Sequence, residues 1–184
     1  MGQAFGAGRT GAGGHGEGSA SIAARLVLAG LSLLAAAAPA LAVTTVTSTF
    51  TVQITITASC VINSASTLNF GGSQGVLAAN VDQTATIQVQ CTNTTPYNIG
   101  LDAGTSPSAT VTTRKMVNGG NTVSYAIYRD AARTLNWGNT VGTDTVTGTG
   151  SGAAQSITVY GRVPAQTTPA PAVYSDTVTV TVTY

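Results

Sequence analysis

Charge is what this chain has least of. Only 7% of its 184 residues are Asp, Glu, Lys or Arg, far below the quarter or more that keeps ordinary soluble surfaces apart. Histidine and glutamate occur once each, at His15 and Glu17, and neither occurs beyond residue 42. The later region therefore lacks the base of a Ser-His-Asp or Cys-His nucleophile arrangement, and it lacks any histidine-based metal site. Its five basic residues (Arg114, Lys115, Arg129, Arg133, Arg162) balance five aspartates (Asp82, Asp102, Asp130, Asp144, Asp176). With no net charge, nothing draws it to nucleic acid or to an anionic membrane. Scattered aspartates can in principle supply a glycosidase pair, but none lies in a segment patterned like a cleft, and turn and edge solvation is the reading adopted. No catalytic, cofactor or metal site is expected.

Long apolar runs are equally scarce. The one present, residues 26–38, follows Arg25 and precedes Pro39 and the small-residue triplet Ala40-Leu41-Ala42. A positive flank, an apolar stretch of this length and an A-x-A site read as a secretory signal peptide, residues 1–42, cleaved after Ala42. The run is shorter than the roughly 20 residues a membrane span needs, so no span is expected in the mature chain. Residues 1–24 are long and glycine-rich for the start of such a signal: either it carries a loose tail, or the true start lies downstream of Met1. Residues 43–184 suffice for one domain with a core.

What the chain has in abundance is threonine, 31 of the 142 residues after 42, a composition suited to strands. The pattern is clearest at the front. Val46, Ser48, Phe50, Val52, Ile54 and Ile56 alternate with Thr47, Thr49, Thr51, Gln53 and Thr55, the period of a strand with one buried and one wet face. At about 3.3 Å per residue, residues 43–58 would span roughly 50 Å, about twice what a small sandwich uses. An overlong, half-apolar strand at a free end is a hazard unless a sheet awaits it. The expectation is that it completes a sheet, its own or a neighbour's.

The only two cysteines, Cys60 and Cys91, lie in an exported chain, where the compartment favours pairing over two buried thiols. Closing a loop of about 30 residues stabilises by roughly 3–4 kcal/mol in the chain-entropy model. Cys60 is in phase with Ile54 and Ile56, and Cys91 with Ile87 and Val89, so both sulfurs are expected on buried faces.

Further along, residues 67–70 read as a short extended piece closed by Gly71-Gly72. Alternation returns at Ala85, Ile87, Val89 and Cys91, and again at Tyr97, Ile99, Leu101 and Ala103. A polar ribbon at 109–117 meets the turn Asn118-Gly119-Gly120-Asn121, a strong hairpin signal. Residues 122–129 and 156–163 are strands, 144–152 an exposed loop or frayed hairpin, and 164–171 a proline-punctuated connection. At the C-terminus Tyr174, Val178, Val180, Val182 and Tyr184 share one face. Seven or eight short strands with no helical period predict an all-β, immunoglobulin-like Greek-key β-sandwich. Arg129-Asp130-Ala131-Ala132-Arg133 is read as an internally ion-paired turn rather than a contact surface. Phe70, Tyr97, Tyr125, Tyr128, Trp137 and Tyr160 are read as packing rather than a sugar platform. The Asn93-Thr94-Thr95 sequon is a weak match in so threonine-rich a chain.

Four stretches carry a resemblance: TLNFG (67–71), YAIYRDAARTLNWG (125–138), ITVYGRVPAQ (157–166) and YSDTVTVTVTY (174–184). Together they resemble the spore coat protein U domain family, which includes subunits of archaic chaperone–usher pili, over about residues 50–184. The connection AQTTPAPAVY is richer in proline than that pattern. The resemblance implies an incomplete sandwich lacking its last strand, filled first by a periplasmic chaperone and then by the N-terminal extension of the next subunit. An outer-membrane usher assembles the surface fibre, which serves adhesion and biofilm formation. Carried onto this chain, residues 43–53 are the donor segment, with Val46, Ser48, Phe50 and Val52 as its inward side chains. Residues 54–184 are the pilin domain, whose groove edge is the strand bearing Val178, Val180, Val182 and Tyr184. Neighbouring copies or related subunits are the implied partners, and a single domain disfavours a two-domain tip adhesin. The rivals are a coat-type protein that folds its own N-terminal strand into the gap and, from another class, a carbohydrate-binding sandwich or hydrolase.

Overall fold

A computed structural model describes residues 41–72 and 74–184, and the chain divides into two units, Met1–Phe50 and Thr51–Tyr184. The signal-peptide reading falls, apart from Leu41 and Ala42, outside the described residues. Of the first unit, residues 41–50 are described: they form no strand and are exposed throughout.

The second unit is all-β among the described residues. Its strands are β1 (Cys60–Ala65), β2 (Val81–Cys91), β3 (Pro96–Leu101), β4 (Arg114–Asn118), β5 (Asn121–Tyr128), β6 (Val146–Thr149), β7 (Ala154–Val163) and β8 (Val180–Thr183). They build a five-stranded sheet in the order β1-β2-β7-β5-β4 and a three-stranded sheet in the order β6-β3-β8. Every ladder is antiparallel. β2 and β7 are the longest pair, in register from Val81 opposite Val163 to Gln90 opposite Ala154. Period-two burial along β2 and β5 delivers Ala85, Ile87, Val89, Val123, Tyr125 and Ile127 to the space between the sheets. There they meet Tyr97, Ile99 and Leu101 of β3 and the fully buried Trp137, whose indole N–H donates to the Ile99 carbonyl at 2.8 Å.

Local chemistry accounts for the connections. Asn118 pairs with Asn121 across Gly119-Gly120, and Gly119 takes a φ of +57°, the left-handed geometry that tight hairpins demand. Cys60 and Cys91 are bridged and face each other across β1 and β2. The Thr92 amide donates to the Ser59 carbonyl, so the neighbouring Cys60–Cys91 position is a non-hydrogen-bonded pair. In such pairs side chains approach most closely. Cys91 is buried and Cys60 half-buried.

Two expectations need correction, and the front stretch stands without a partner strand in the single copy. The front stretch has the alternation of a strand but no ladder: residues 46–58 pair with no strand, and Val52, Ile54 and Ile56 are 77–83% exposed. A strand's backbone groups need a partner edge, and none is supplied to them. Residues 146–149 are a true strand, β6, on the margin of β3, because Thr and Val there find a ladder. The 129–133 turn is not internally ion-paired. Asp130 accepts from the Thr134 and Leu135 amides, while Arg133 reaches Asp82 at 3.4 Å and stacks 5.8 Å over the Tyr160 ring.

Candidate functional site: an open groove beside β8

The C-terminal segment shows how one edge is left bare. Burial alternates from residue 173 to 183, with Tyr174, Asp176, Val178, Val180 and Val182 turned inward. Asp102 N–H donates to the Thr179 carbonyl, and β8 then runs in register with β3, Gly100 opposite Thr181 and Asn98 opposite Thr183. Upstream, Ser175 exchanges two hydrogen bonds with Val117 of β4. Odd-numbered residues thus spend their backbone groups on β3 and β4. In an antiparallel ladder both groups of a residue point the same way, so those of residues 174, 176, 178, 180 and 182 point toward the other, open side. β8 ends its sheet, and the inward side chains and the free backbone groups belong to the same residues.

Beside that edge lies a cavity of about 1170 Å³. One bank is residues 65–72 and 74–77, the other is residues 173–178 with Val180, and the floor is the inner face of the larger sheet. Ile87, Val123, Tyr125, Ile127 and Val159 form that floor, so the groove opens directly on core side chains. The 67–70 piece is coil rather than strand, yet it is placed by its side chains. A Cβ on Gly161 would lie 2.6 Å from Leu68 Cδ2 and 2.8 Å from Phe70 Cζ. The bare backbone of β7 is what lets these two residues lie over it, with Phe70 edge-on to Tyr125 at 6.1 Å.

The polar groups around the groove are satisfied by construction. Asp176 accepts the Tyr125 hydroxyl at 2.7 Å and the Thr105 amide at 2.9 Å. Burial first, and then that hydrogen bond, push the Tyr125 pKa well above the ordinary phenol value, so the ring keeps its proton as a donor. Gln166 completes β5 where β7 leaves it: its side-chain amide accepts from Ser124 N–H at 3.0 Å and donates to Ser124 C=O at 2.9 Å. Below them Arg114 is 0% exposed. Its guanidinium donates to the carbonyls of Asp102, Val111, Leu101 and Trp137 at 2.7–2.9 Å. Burial lowers its pKa, opposed by Tyr125 and by the carboxylates of Asp102, Asp176 and Asp144. Nothing in the sequence singled out Arg114; one arginine opening a polar ribbon carries no periodic signal.

The residues expected at the site fall in three places. Val178 and Val180 line the groove, Val182 packs on the core outside the lining, and Tyr184 is 59% exposed. The bank opposite β8 is formed mainly by the stretch after β1 rather than by β1 itself. Val46, Phe50 and Val52 are 82–93% exposed, and Ser48 is exposed beside them. The aromatics do not make a platform: Phe70, Tyr97, Tyr125 and Trp137 are buried.

The Spore Coat Protein U domain model matches residues 46–181. The chain belongs to that family. Within it, Protein U of Myxococcus xanthus is 36% identical over 140 residues, which cover 68% of this chain and 78% of that protein. Among solved structures, the chain is similar to one in the crystal structure of the CsuC–CsuE chaperone–tip adhesion subunit pre-assembly complex, from archaic chaperone–usher Csu pili of Acinetobacter baumannii. Identity there is 25% and the TM-score 0.49, over 71% of this chain and 40% of that one. Among its described residues the chain is all-β, with two antiparallel sheets, and no helix there is long and apolar enough to cross a membrane.

Proposed function

We propose that this Spore Coat Protein U domain is a structural subunit of a surface fibre, its groove filled by the N-terminal segment 43–53 of a neighbouring copy. The observation that carries the reading is the coincidence, in one chain, of a missing strand and a spare one. The groove beside β8 offers an apolar floor and unspent backbone groups along one edge. Residues 46–56 offer period-two apolar side chains, with Val46, Phe50, Val52, Ile54 and Ile56 all more than three-quarters exposed. Joining the two is β-augmentation: main-chain hydrogen bonds supply affinity and alternate side chains filling the groove supply specificity. The molecule is then an incomplete immunoglobulin-like sandwich, and its role is structural rather than catalytic. An exposed apolar groove must be covered during export, which calls for a periplasmic chaperone that lends a strand. An outer-membrane usher then exchanges that strand for the next subunit's, building a fibre for adhesion and biofilm formation. The sparse surface charge suits a protein that lives packed against copies of itself.

Two altered chains test this. Deleting residues 43–52 leaves a subunit that can end a fibre but cannot enter the next groove, so polymerisation stops while the monomer's melting is unchanged. Appending a second copy of 43–52 after Tyr184 through a flexible linker places it near the groove at an effective concentration on the order of millimolar. That chain is expected to be a monomer with raised melting temperature. Polymerisation of the deleted chain refutes the reading. A deleted chain that loses its own stability, with nothing gained from the second copy, identifies a strand folded back into its own gap.

A further inference from the structure

On the outer face of the larger sheet, opposite the groove floor, the charge of this sparsely charged chain gathers in one place. Asp82 lies opposite Arg162 in the β2–β7 ladder and is held by it in a fork, Nε to Oδ1 at 2.7 Å and Nη2 to Oδ2 at 2.8 Å. Arg133 comes in from the 129–135 turn. Its Nη1 lies 3.4 Å from the same carboxylate and donates to the Ala131 carbonyl, its Nε donates to the Gly161 carbonyl, and its guanidinium covers the Tyr160 ring at 5.8 Å. Arg133 does this from a φ of +57°, a region that a non-glycine residue seldom takes and keeps only where its surroundings over-determine it. Clamping the turn to the sheet needs one arginine. Two guanidiniums on one carboxylate leave a surplus positive charge, and the adjacent Arg129 and Asp130 cancel each other. Nη1 of Arg162 and Nη2 of Arg133 take no part in these contacts, and the two side chains keep 27% and 15% of their surface open.

Beyond this cluster the face changes character. Past Asp82 and Arg162 neither β2 nor β7 carries another charge, and Thr84, Thr86 and, across from Thr86, Thr158 stand exposed. We infer that this face binds an acidic polysaccharide, with a uronate carboxylate on the spare N–H groups of Arg133 and Arg162 and the neighbouring sugar hydroxyls along the threonine strip. The surplus charge selects an anion, and a guanidinium edge matches the two oxygens of a carboxylate. The strip selects a polymer whose charges are separated by hydroxyls. Duplex nucleic acid carries a phosphate about every 1.7 Å of its axis and would meet one cationic point followed by a strip without any. Arg133 already covers Tyr160, so charge and hydroxyls, not ring stacking, carry the recognition. The patch belongs to the single chain and does not depend on how the groove is filled. If copies assemble as proposed above, they repeat it, and a polymer that bridges several gains avidity.

The test measures retention of unassembled chains, residues 43–184, on immobilised polygalacturonate, with dextran as the neutral polymer, duplex DNA as the other polyanion, and melting recorded for every variant. The parent is expected to be held by polygalacturonate at low salt, released as salt rises, and held less by dextran and DNA. Arg162→Gln is expected to weaken retention about tenfold, the loss of one charge-assisted hydrogen bond. Asp82→Asn decides between a binding patch and a clamp alone. It frees both guanidiniums from their internal carboxylate, so retention is expected to rise several-fold, whereas a triad that only holds the turn predicts no gain. A parent that passes polygalacturonate unretained, or is held equally by dextran or DNA, overturns the inference. So does a folded Asp82→Asn chain with unchanged or weaker retention, or an Arg162→Gln chain that binds like the parent. Because single chains are measured, each of these outcomes leaves the fibre reading standing, and failure of fibres to form leaves the patch standing.

Discussion

The two margins of this sandwich end its sheets in opposite ways. Around Arg114, stray backbone carbonyls of Asp102, Val111, Leu101 and Trp137 are gathered by one buried guanidinium. Along residues 174–182 backbone groups and apolar side chains face a groove of about 1170 Å³. The comparison teaches that the gap is not poor packing. A chain able to satisfy four carbonyls with a buried arginine has the means to seal its edges, and beside β8 it does not use them. Orphaned polar groups in a dry interior each cost about 1–3 kcal/mol, so the sealed margin sets the domain's own stability, and under the donor-strand proposal the open margin is where a partner strand enters.

The contrast breaks most sharply at Phe50. Phe50→Asp would bring an unpaired charge into an apolar groove at a cost of several kcal/mol. Size exclusion should show monomer alone, with melting unaltered because the residue is 86% exposed in the single copy. At the sealed margin the reverse is expected. Arg114→Leu strands four carbonyls and should lower unfolding free energy by about 3–5 kcal/mol, read by denaturant titration of the unassembled chain. Cys60→Ser/Cys91→Ser, which removes the covalent tie between β1 and β2 but leaves their ladder, should cost about 3 kcal/mol, and thiol labelling of the unreduced, unfolded parent should find no free cysteine. Gly161→Ala adds a methyl under Leu68 and Phe70 and should cost roughly 1–3 kcal/mol, weakening strand binding too because those residues bank the groove.

The smallest effect belongs to the surface. Asp82 is held at 2.7 Å by Arg162 and at 3.4 Å by Arg133. The Arg162 hydrogen bond lowers its pKa, burial opposes and the nearby arginine charges reinforce the shift. Because the folded value lies below the unfolded one, this stability is present above the ordinary aspartate value near 3.8. It is lost as pH falls through the folded value. Asp82→Asn should therefore cost no more than about 1 kcal/mol at neutral pH, with the difference from the parent vanishing in acid.

The local features were legible in advance because they obey local rules. Period two named the faces of β2, β3, β5 and β7, and Asn-Gly-Gly-Asn named the hairpin between β4 and β5. Two cysteines in a chain read as exported allowed one pairing. A strand's spare length at the front was visible by counting. The sequence did not disclose that residues 144–152 contain β6, since threonine and glycine suit loop and edge alike until a ladder partner exists. Nor did it disclose that Asp130 serves backbone amides while Arg133 serves Asp82, because those partners are distant in the chain.

Sequence alone determined that this chain makes strands, where most of them lie, and that one alternating segment has no obvious place among them. Only the tertiary structure decided that Arg114 is buried and that the stretch after β1, not β1 itself, banks the groove. It also decided that the inward side chains and the unspent backbone groups of residues 174–182 coincide. The reason is physical. Periodicity is written in side chains that succeed one another along the chain, whereas an open edge is a property of neighbours, and the neighbour of β8 is set by where β3, β4 and the larger sheet come to rest.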